Sequence, residues 1–343
     1  MTRHDLTIRG GGIFGLSIAW AAARHGAKVR LIETVHIGAG SSGGIVGALA
    51  PHTPENWNQK KQFQLESLLM AEAFFAAAAT ASGQPTGYAR LGRLQPLTDQ
   101  TAIALAQTRS TNAQTLWQGQ AHWHIIPADQ PWHPASPSGF LVHDTLSARL
   151  HPRQTARALT EAIRAHGGQI LLGDTPDHGP TIHATGLAGL QALSRSMGRT
   201  MGNGVKGQAI LLHHDARTQP QLFVDTIHIV PHDDGTTAIG STSEHTWTDP
   251  TSTNTALDDL LQKARSALPA LQNAAVLERW AGIRPRATSR APLLGAWPDR
   301  PGHYVANGGF KIGYGMAPKV AQTMIDLVLS QTDTIPDDFR LTP

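Results

Sequence analysis

Hydrophobic residues along this chain switch repeatedly between a strand-like and a helical period, and the switches predict its elements. Residues 5–9 (DLTIR) are short and β-compatible. Ile13 to His25 then carry Ile, Leu, Ala and Trp at helical spacing until Gly26 stops the run, and Lys28 to Ile32 form the next strand. After a Gly/Ser/Ala loop from Gly38 to Pro51, residues 60–81 read as a long helix. Its apolar face holds Phe63, Leu68, Leu69, Ala73, Phe74 and Ala77. Segments 89–97, 121–127 and 139–143 read as strands separated by turn-rich stretches. Residues 152–166 return to helix, with Pro152 in the first turn and Gly167 as the stop. Strand 169–172 and segment 181–186 follow. Segments 207–213 and 221–231 read as β, and Asp233-Asp234-Gly235 forms a hairpin turn into 236–240. An amphipathic helix over 255–268, a strand near 303–307 and a final helix near 316–329 complete the pattern. Parallel α/β pieces at both ends and in the middle, with β-rich insertions between them, predict an α/β protein of two interleaved domains. The expected division is 1–84, 140–203 and 281–343 for the α/β unit, with 85–139 and 204–280 for a β-rich substrate unit.

Charge narrows the choice of partners. A formal net charge of +3 over 343 residues, with no long Lys/Arg run, argues against a nucleic-acid or membrane-surface partner. Cys is absent, which excludes disulfides and thiolate metal sites. The opening residues MTRHDLTIRGGG enter a strand at once, without the basic-then-apolar pattern of a signal segment. No apolar run reaches the roughly 18 residues of a membrane span. A soluble, cytoplasmic protein is the expectation.

The first chemical motif is Gly10-x-Gly12-x-x-Gly15, set between the first strand and the first helix. Gly10 permits the tight turn, Gly12 lets backbone approach a pyrophosphate, and Gly15 lets the helix pack closely on the strand. The helix N-terminus then offers oriented N–H groups to phosphate. Glu33 ends the second strand, where an acid binds an adenosine ribose through its hydroxyls and repels a 2′-phosphate. The three features together point to an adenine dinucleotide other than NADP. The loop Gly38-Ala39-Gly40-Ser41-Ser42-Gly43-Gly44, running into Ala48-Leu49-Ala50-Pro51-His52, adds small residues and two hydroxyls on a second side.

Strand, GGGIFG, helix and Glu33, followed by GAGSSGGIVGALAPH, resemble the opening of D-amino acid oxidases, glycine oxidases and their relatives. AGIRPRATSRAPLLG (281–295) is similar to that family's Gly-x-Arg-Pro segment, and NGGFKIGYGMAP (307–318) to the Gly-rich run opening its last helix. The resemblance implies a Rossmann-like FAD-binding domain, of the glutathione-reductase-like type, interleaved with a β-sheet-rich substrate domain. It implies non-covalent FAD, held by Gly10, Gly12, Ile13, Phe14, Gly15 and Glu33, by Ser41, Ser42, Gly43, Ala48 and Leu49, by the adenosine-side turn Thr185-Gly186, and by Gly308, Gly309, Phe310, Lys311, Ile312 and Gly313. It also implies that Arg284 grips a substrate carboxylate with its guanidinium fork. Lys311 stands where relatives often have Arg. Tyr314 is the best-placed counterpart of an active-site Tyr, and His52 follows the flavin loop. The implied substrate is a small amine or amino acid, with O2 or another electron acceptor.

Other patterns add little. His122-x-His124 and His213-His214 lack a carboxylate or Cys at ligand spacing, so no metal site is expected. No Ser/His/Asp set stands in a nucleophile-elbow context. A dehydrogenase of the same family passing electrons to a quinone or partner, a flavin-binding subunit of a larger complex and a tRNA-modifying flavoprotein are the alternatives.

Overall fold

The computed structural model describes residues 5–341, so the first four residues of the amino-terminal reading lie outside the described residues. Leu6 and Ile8 are fully buried, which places strand Asp5–Arg9 inside a six-stranded sheet. The sheet order is Leu293–Ala296, His303–Asn307, Thr181–His183, Asp5–Arg9, Lys28–Glu33 and Gln169–Leu172. Neighbours are parallel except the Leu293–Ala296 edge pair. Helices Ile13–Arg24, Gln59–Ser82, Pro152–Ala165 and Gly313–Leu329 pack on one another through a shared core that includes Trp20 and Phe75. Helix Gln59–Ser82 is, by length and composition, apolar enough to cross a bilayer. Its Phe63, Leu65, Leu68, Phe74 and Phe75 are nevertheless buried in the core.

The second sheet has eight strands. Their order is Ala275–Ala287, Gly202–His213, Thr236–Gly240, Ile227–Pro231, Gln221–Val224, Arg93–Pro96, Phe140–Asp144 and Trp123–Pro127. Alternate residues of a strand point to opposite faces. Ile210, Leu212, Leu222, Ile229 and Ile239 form a core with Leu257, Leu260, Leu261 and Ala264 of helix Ala256–Ala267. Their sequence neighbours Ala209, Phe223, His228 and Gly240 take the other face and line a cavity.

Several elements differ from expectation. Helix Gln100–Leu116 occupies a stretch expected to be turn-rich. Asp99 caps it by accepting from the Ala102 N–H at 2.9 Å, and only Ala106 and Ala113 are buried, so it has no apolar stripe to read. Helix Gly186–Met197 follows directly on strand Thr181–His183, shortening the expected 181–186 segment. Segment 221–231 is two strands, because Asp225 and Thr226 both take positive φ and form the tight turn between them. The final helix starts at Gly313, not near 316. The 13-residue strand Ala275–Ala287 was hidden by its charges and by Pro285, which an edge strand tolerates. Strands Phe140–Asp144 and Ala275–Ala287 both belong to the eight-stranded sheet, although residues 140–144 and 281–287 were expected in the α/β unit.

One buried ion pair ties this sheet together. Arg93 Nε donates to Asp144 Oδ2 at 2.8 Å across paired strands, and Asp144 is fully buried. Removing one partner strands a buried charge. Asp144→Ala is expected to lower unfolding free energy by about 3–5 kcal/mol, read from urea melts; a loss under about 1 kcal/mol would mean the pair is solvent-compensated.

Candidate active site

A cavity of ≈1560 Å³ is lined by residues of both sheets. That exceeds the roughly 300–1,000 Å³ of a drug-sized ligand site, leaving room for a dinucleotide beside a small substrate.

At one end the backbone itself makes the wall. Gly10 has φ +109°, and a Cβ there would strike the Ala184 carbonyl oxygen; a Cβ at Gly15 would strike the Gly10 carbonyl oxygen. Gly15 therefore serves helix packing and does not line the cavity. Gly12 starts helix Ile13–Arg24 with no capping side chain of its own, leaving the first-turn N–H groups beyond Ile13 for a ligand. Glu33 accepts from the Gly11 N–H at 2.7 Å and the Val35 N–H at 3.0 Å, which fixes its carboxylate at the cavity edge. Ser42 Oγ accepts from the Ile13 N–H at 3.0 Å, joining the Ser41–Gly43 turn to the same helix start. Ser41, Ser42, Gly43 and Ala48 line the cavity, but Leu49 does not: it is fully buried in the core and paired with Ala148.

A second pair of turns closes the opposite wall. Thr185 and Gly186 begin helix Gly186–Met197, with Gly186 at φ +58°. Asn307 Nδ2 donates to the Gly186 carbonyl at 2.8 Å, and its Oδ1 accepts from the Gly308 N–H at 2.7 Å. Asn307 thus clamps the two turns together. Gly308, Gly309, Phe310, Lys311, Ile312 and Gly313 all line the cavity, and Gly309 lies against the Phe14 ring.

The far end is cationic. Arg284 is 8% exposed; its Nη2 donates to Ser241 Oγ at 2.5 Å and to the Thr242 carbonyl at 3.1 Å. Its Nη1 is buried without a partner. Burial pushes the guanidinium down to about 10, with Glu244 opposing the shift, so it stays charged at neutral pH. Any side chain at Gly207 would collide with this guanidinium. Lys311 is exposed at the cavity, and burial together with Arg284 and Arg286 lowers its ammonium below the usual lysine range.

Two expected residues are held differently from each other. His52 lines the cavity, with its backbone N–H and Nδ1 both on Gln64 Oε1 at 2.8 and 2.5 Å. The shared acceptor assigns the ring proton to Nδ1 and leaves Nε2 bare. Burial lowers the His52 pKa, keeping the ring neutral. Tyr314 also lines the cavity, but its hydroxyl donates to the Ser42 carbonyl at 2.5 Å, so its proton is not free for a carboxylate. Burial raises its pKa.

Sequence reading missed Arg93, Phe223, His228, Ser241, Trp280 and Asn307, all of which line the cavity. His228 is the most informative of them. Its Nδ1 is buried without a partner, its ring lies 4.7 Å from that of Phe223, and burial with Arg93 and Lys311 nearby pushes it down to about 3. A signal was present, since Ile227 and Ile229 face the helix-covered core and period-two alternation turns His228 the other way.

These features define a dinucleotide-dependent redox enzyme, and the family model described as "FAD dependent oxidoreductase" (DAO) matches residues 5–327. The chain belongs to that family and is an FAD-dependent oxidoreductase. It is 23% identical to glycine oxidase of Bacillus licheniformis, over 95% of this chain and 93% of that protein. Among solved structures it superposes with TM-score 0.85 on glycine oxidase from Geobacillus kaustophilus, at 20% identity over 100% of this chain and 99% of that one. It superposes with TM-score 0.86 on iminodiacetate oxidase from Chelativorans sp., at 20% identity over 98% of each chain.

Glu33→Ala removes the acceptor of two backbone N–H groups at the cavity edge. FAD affinity should fall roughly 10- to 150-fold, equal to about 1.5–3 kcal/mol for a hydrogen bond to a charged group. Flavin fluorescence titration of the apoprotein measures it, and wild-type affinity in the variant would reassign Glu33 to a purely structural part.

Proposed function

We propose that this enzyme oxidises the C–N bond of a small amino acid or amine of the glycine, sarcosine or D-amino acid type. The observation that carries the reading is Arg284: a buried, charged guanidinium with one unpaired nitrogen, in the same cavity as the Gly10–Glu33 end. A buried cation with a free donor asks for an anion, and a carboxylate matches its planar fork. The named activities of the similar proteins, glycine oxidase and iminodiacetate oxidase, support it.

FAD supplies the two-electron acceptor for hydride leaving the substrate α-carbon, and the resulting imine hydrolyses in water. In this reading the chain would bind the cofactor in four places. The Gly10–Phe14 backbone and Ser41–Gly43 turn take the pyrophosphate, Glu33 the ribose hydroxyls, and Thr185-Gly186 the adenosine side. Gly308–Gly313, which open helix Gly313–Leu329, would hold the flavin end, where the positive helix end and Lys311 would favour negative charge. Arg284 holds the substrate carboxylate, with Ser241 and Thr242 fixing the guanidinium. Neutral His228 offers its unpaired Nδ1 from strand Ile227–Pro231 of the same sheet. His52 offers a bare Nε2 as acceptor for a proton of the substrate ammonium, whose lone pair must be free to expel hydride. The six-stranded sheet with its helices is the cofactor unit and the eight-stranded sheet the substrate unit. The enzyme works in the cytoplasm, with O2 or another acceptor reoxidising it.

The deciding experiment is anaerobic flavin bleaching of the FAD-loaded protein with glycine, sarcosine, D- and L-amino acids and simple amines. Bleaching by none of them would end the proposal; oxygen uptake against dye reduction separates oxidase from dehydrogenase. Arg284→Ala should keep FAD bound yet lose on the order of 3 kcal/mol of kcat/KM on carboxylate substrates. Gly207→Ala, which touches no ligand, should lose up to about 10²-fold by displacing the same guanidinium. Unchanged kcat/KM in both variants would remove Arg284 from substrate binding.

A further inference from the structure

Away from the cavity, three side chains from distant parts of the chain converge at the seam between the two sheets' units. His151 precedes helix Pro152–Ala165, while His232 and Asp234 stand in the hairpin between strands Ile227–Pro231 and Thr236–Gly240. Their donor atoms all lie within 4.8 Å of one another. His151 Nε2 is 3.4 Å from Asp234 Oδ2, and the two imidazole rings are 4.6 Å apart.

The hydrogen bonds around His232 determine its tautomer. Thr236 Oγ1 donates its one proton to Asp234 Oδ1 at 2.7 Å, so at 3.1 Å it can only accept from His232 Nδ1. Neutral His232 therefore carries its lone pair on Nε2. That atom is buried without a partner, in a residue with no solvent exposure. The adjacent Asp233 Oδ1 is a second buried polar atom without a partner. A bare imidazole nitrogen, oriented by a hydroxyl that is itself anchored on a carboxylate, is how a metal-binding histidine is normally held.

We propose that His151, His232 and Asp234 bind a divalent transition-metal ion of zinc's preference, with water completing the coordination. Tetrahedral bonds of about 2.0–2.1 Å place ligand atoms about 3.4 Å apart. The His151 Nε2–Asp234 Oδ2 edge already has this length. With all three ligand atoms within 4.8 Å, the remaining edges need shifts of little more than about 1 Å, taken up by His151 and by Asp234 Oδ2 while Oδ1 stays on Thr236. Metal at His151 Nε2 moves its proton to Nδ1, which costs only a long 3.4 Å cap to the Gln154 N–H. Three cations lie near this cluster, and each is already engaged: Arg153 by Glu278, Arg217 by Asp215, and Arg149 through its Nη atoms by the Gly87 and Arg217 carbonyls. The ion would pin the helix whose Arg153 holds the Gly43 carbonyl at 3.0 Å to a hairpin of the other sheet. Its role is to fasten the two units together, apart from the redox chemistry.

The test uses the chelator-treated, FAD-loaded full chain and zinc chloride. Calorimetry and metal analysis should find zinc bound at one ion per chain, tighter than about 1 μM, with a raised Tm. Asp234→Asn and His232→Ala should each weaken binding at least tenfold. Thr236→Val, which frees the His232 tautomer, should weaken it roughly 10- to 100-fold. Flavin absorption and circular dichroism confirm that each variant is folded, and if His232→Ala is not, Asp234→Asn decides. No zinc retained by the wild type, or equal retention by folded Asp234→Asn, overturns the site.

Discussion

Backbone laid against backbone, at positions where one methyl group would not fit, is the constraint on which this molecule depends. Gly15 meets the Gly10 carbonyl, Gly10 meets Ala184, Gly43 meets Gly38, and Gly47 meets the Leu150 carbonyl. Each contact brings two chain segments closer than any side chain permits, and those at Gly10, Gly38 and Gly43 border the cavity. The same logic reaches the far end, where the absence of a side chain at Gly207 makes room for the Arg284 guanidinium. Close packing of this kind leaves polar backbone exposed only towards a ligand, and oriented N–H groups are what a pyrophosphate requires.

The eight-stranded sheet solves a different problem, with one face for stability and one for chemistry. Ile210, Leu222, Ile229 and Ile239 bury apolar area against helix Ala256–Ala267. The opposite face carries Arg93, Phe223 and His228, with Arg284 on the edge strand. Burying charge there is costly, and the cost is met unequally. Arg93 is paired with Asp144, whereas Arg284 has hydrogen bonds to Ser241 and Thr242 but no carboxylate against it. Leaving the buried Arg284 without a counter-charge in this wall reserves that place for an anionic ligand.

How much of this was legible depended on whether the information was local. The Gly10–Gly15 motif, Glu33 and the Ser41–Gly43 turn could be placed from sequence, because a nucleotide loop is built from consecutive backbone atoms. Helix Gln100–Leu116 escaped notice because it buries so little that it has no periodic stripe, and strand Ala275–Ala287 because Pro285 and three arginines mask its pattern. His228 could have been found from the alternation of Ile227 and Ile229, had that face been known to border a cavity.

By itself the sequence determined a dinucleotide-binding α/β unit, an interleaved β-rich unit and, through resemblance, the family with its FAD. Short-range patterns and motifs survive in sequence because they are enforced by neighbours along the chain. Tertiary structure alone decided that Leu49 belongs to the core, that the Tyr314 proton is committed to Ser42, and that Asn307 links Gly186 to Gly308. It alone brought His151 to His232 and Asp234. Each of these turns on which hydrogen-bond partner or packing surface arrives from a remote segment, and no local pattern encodes that arrival.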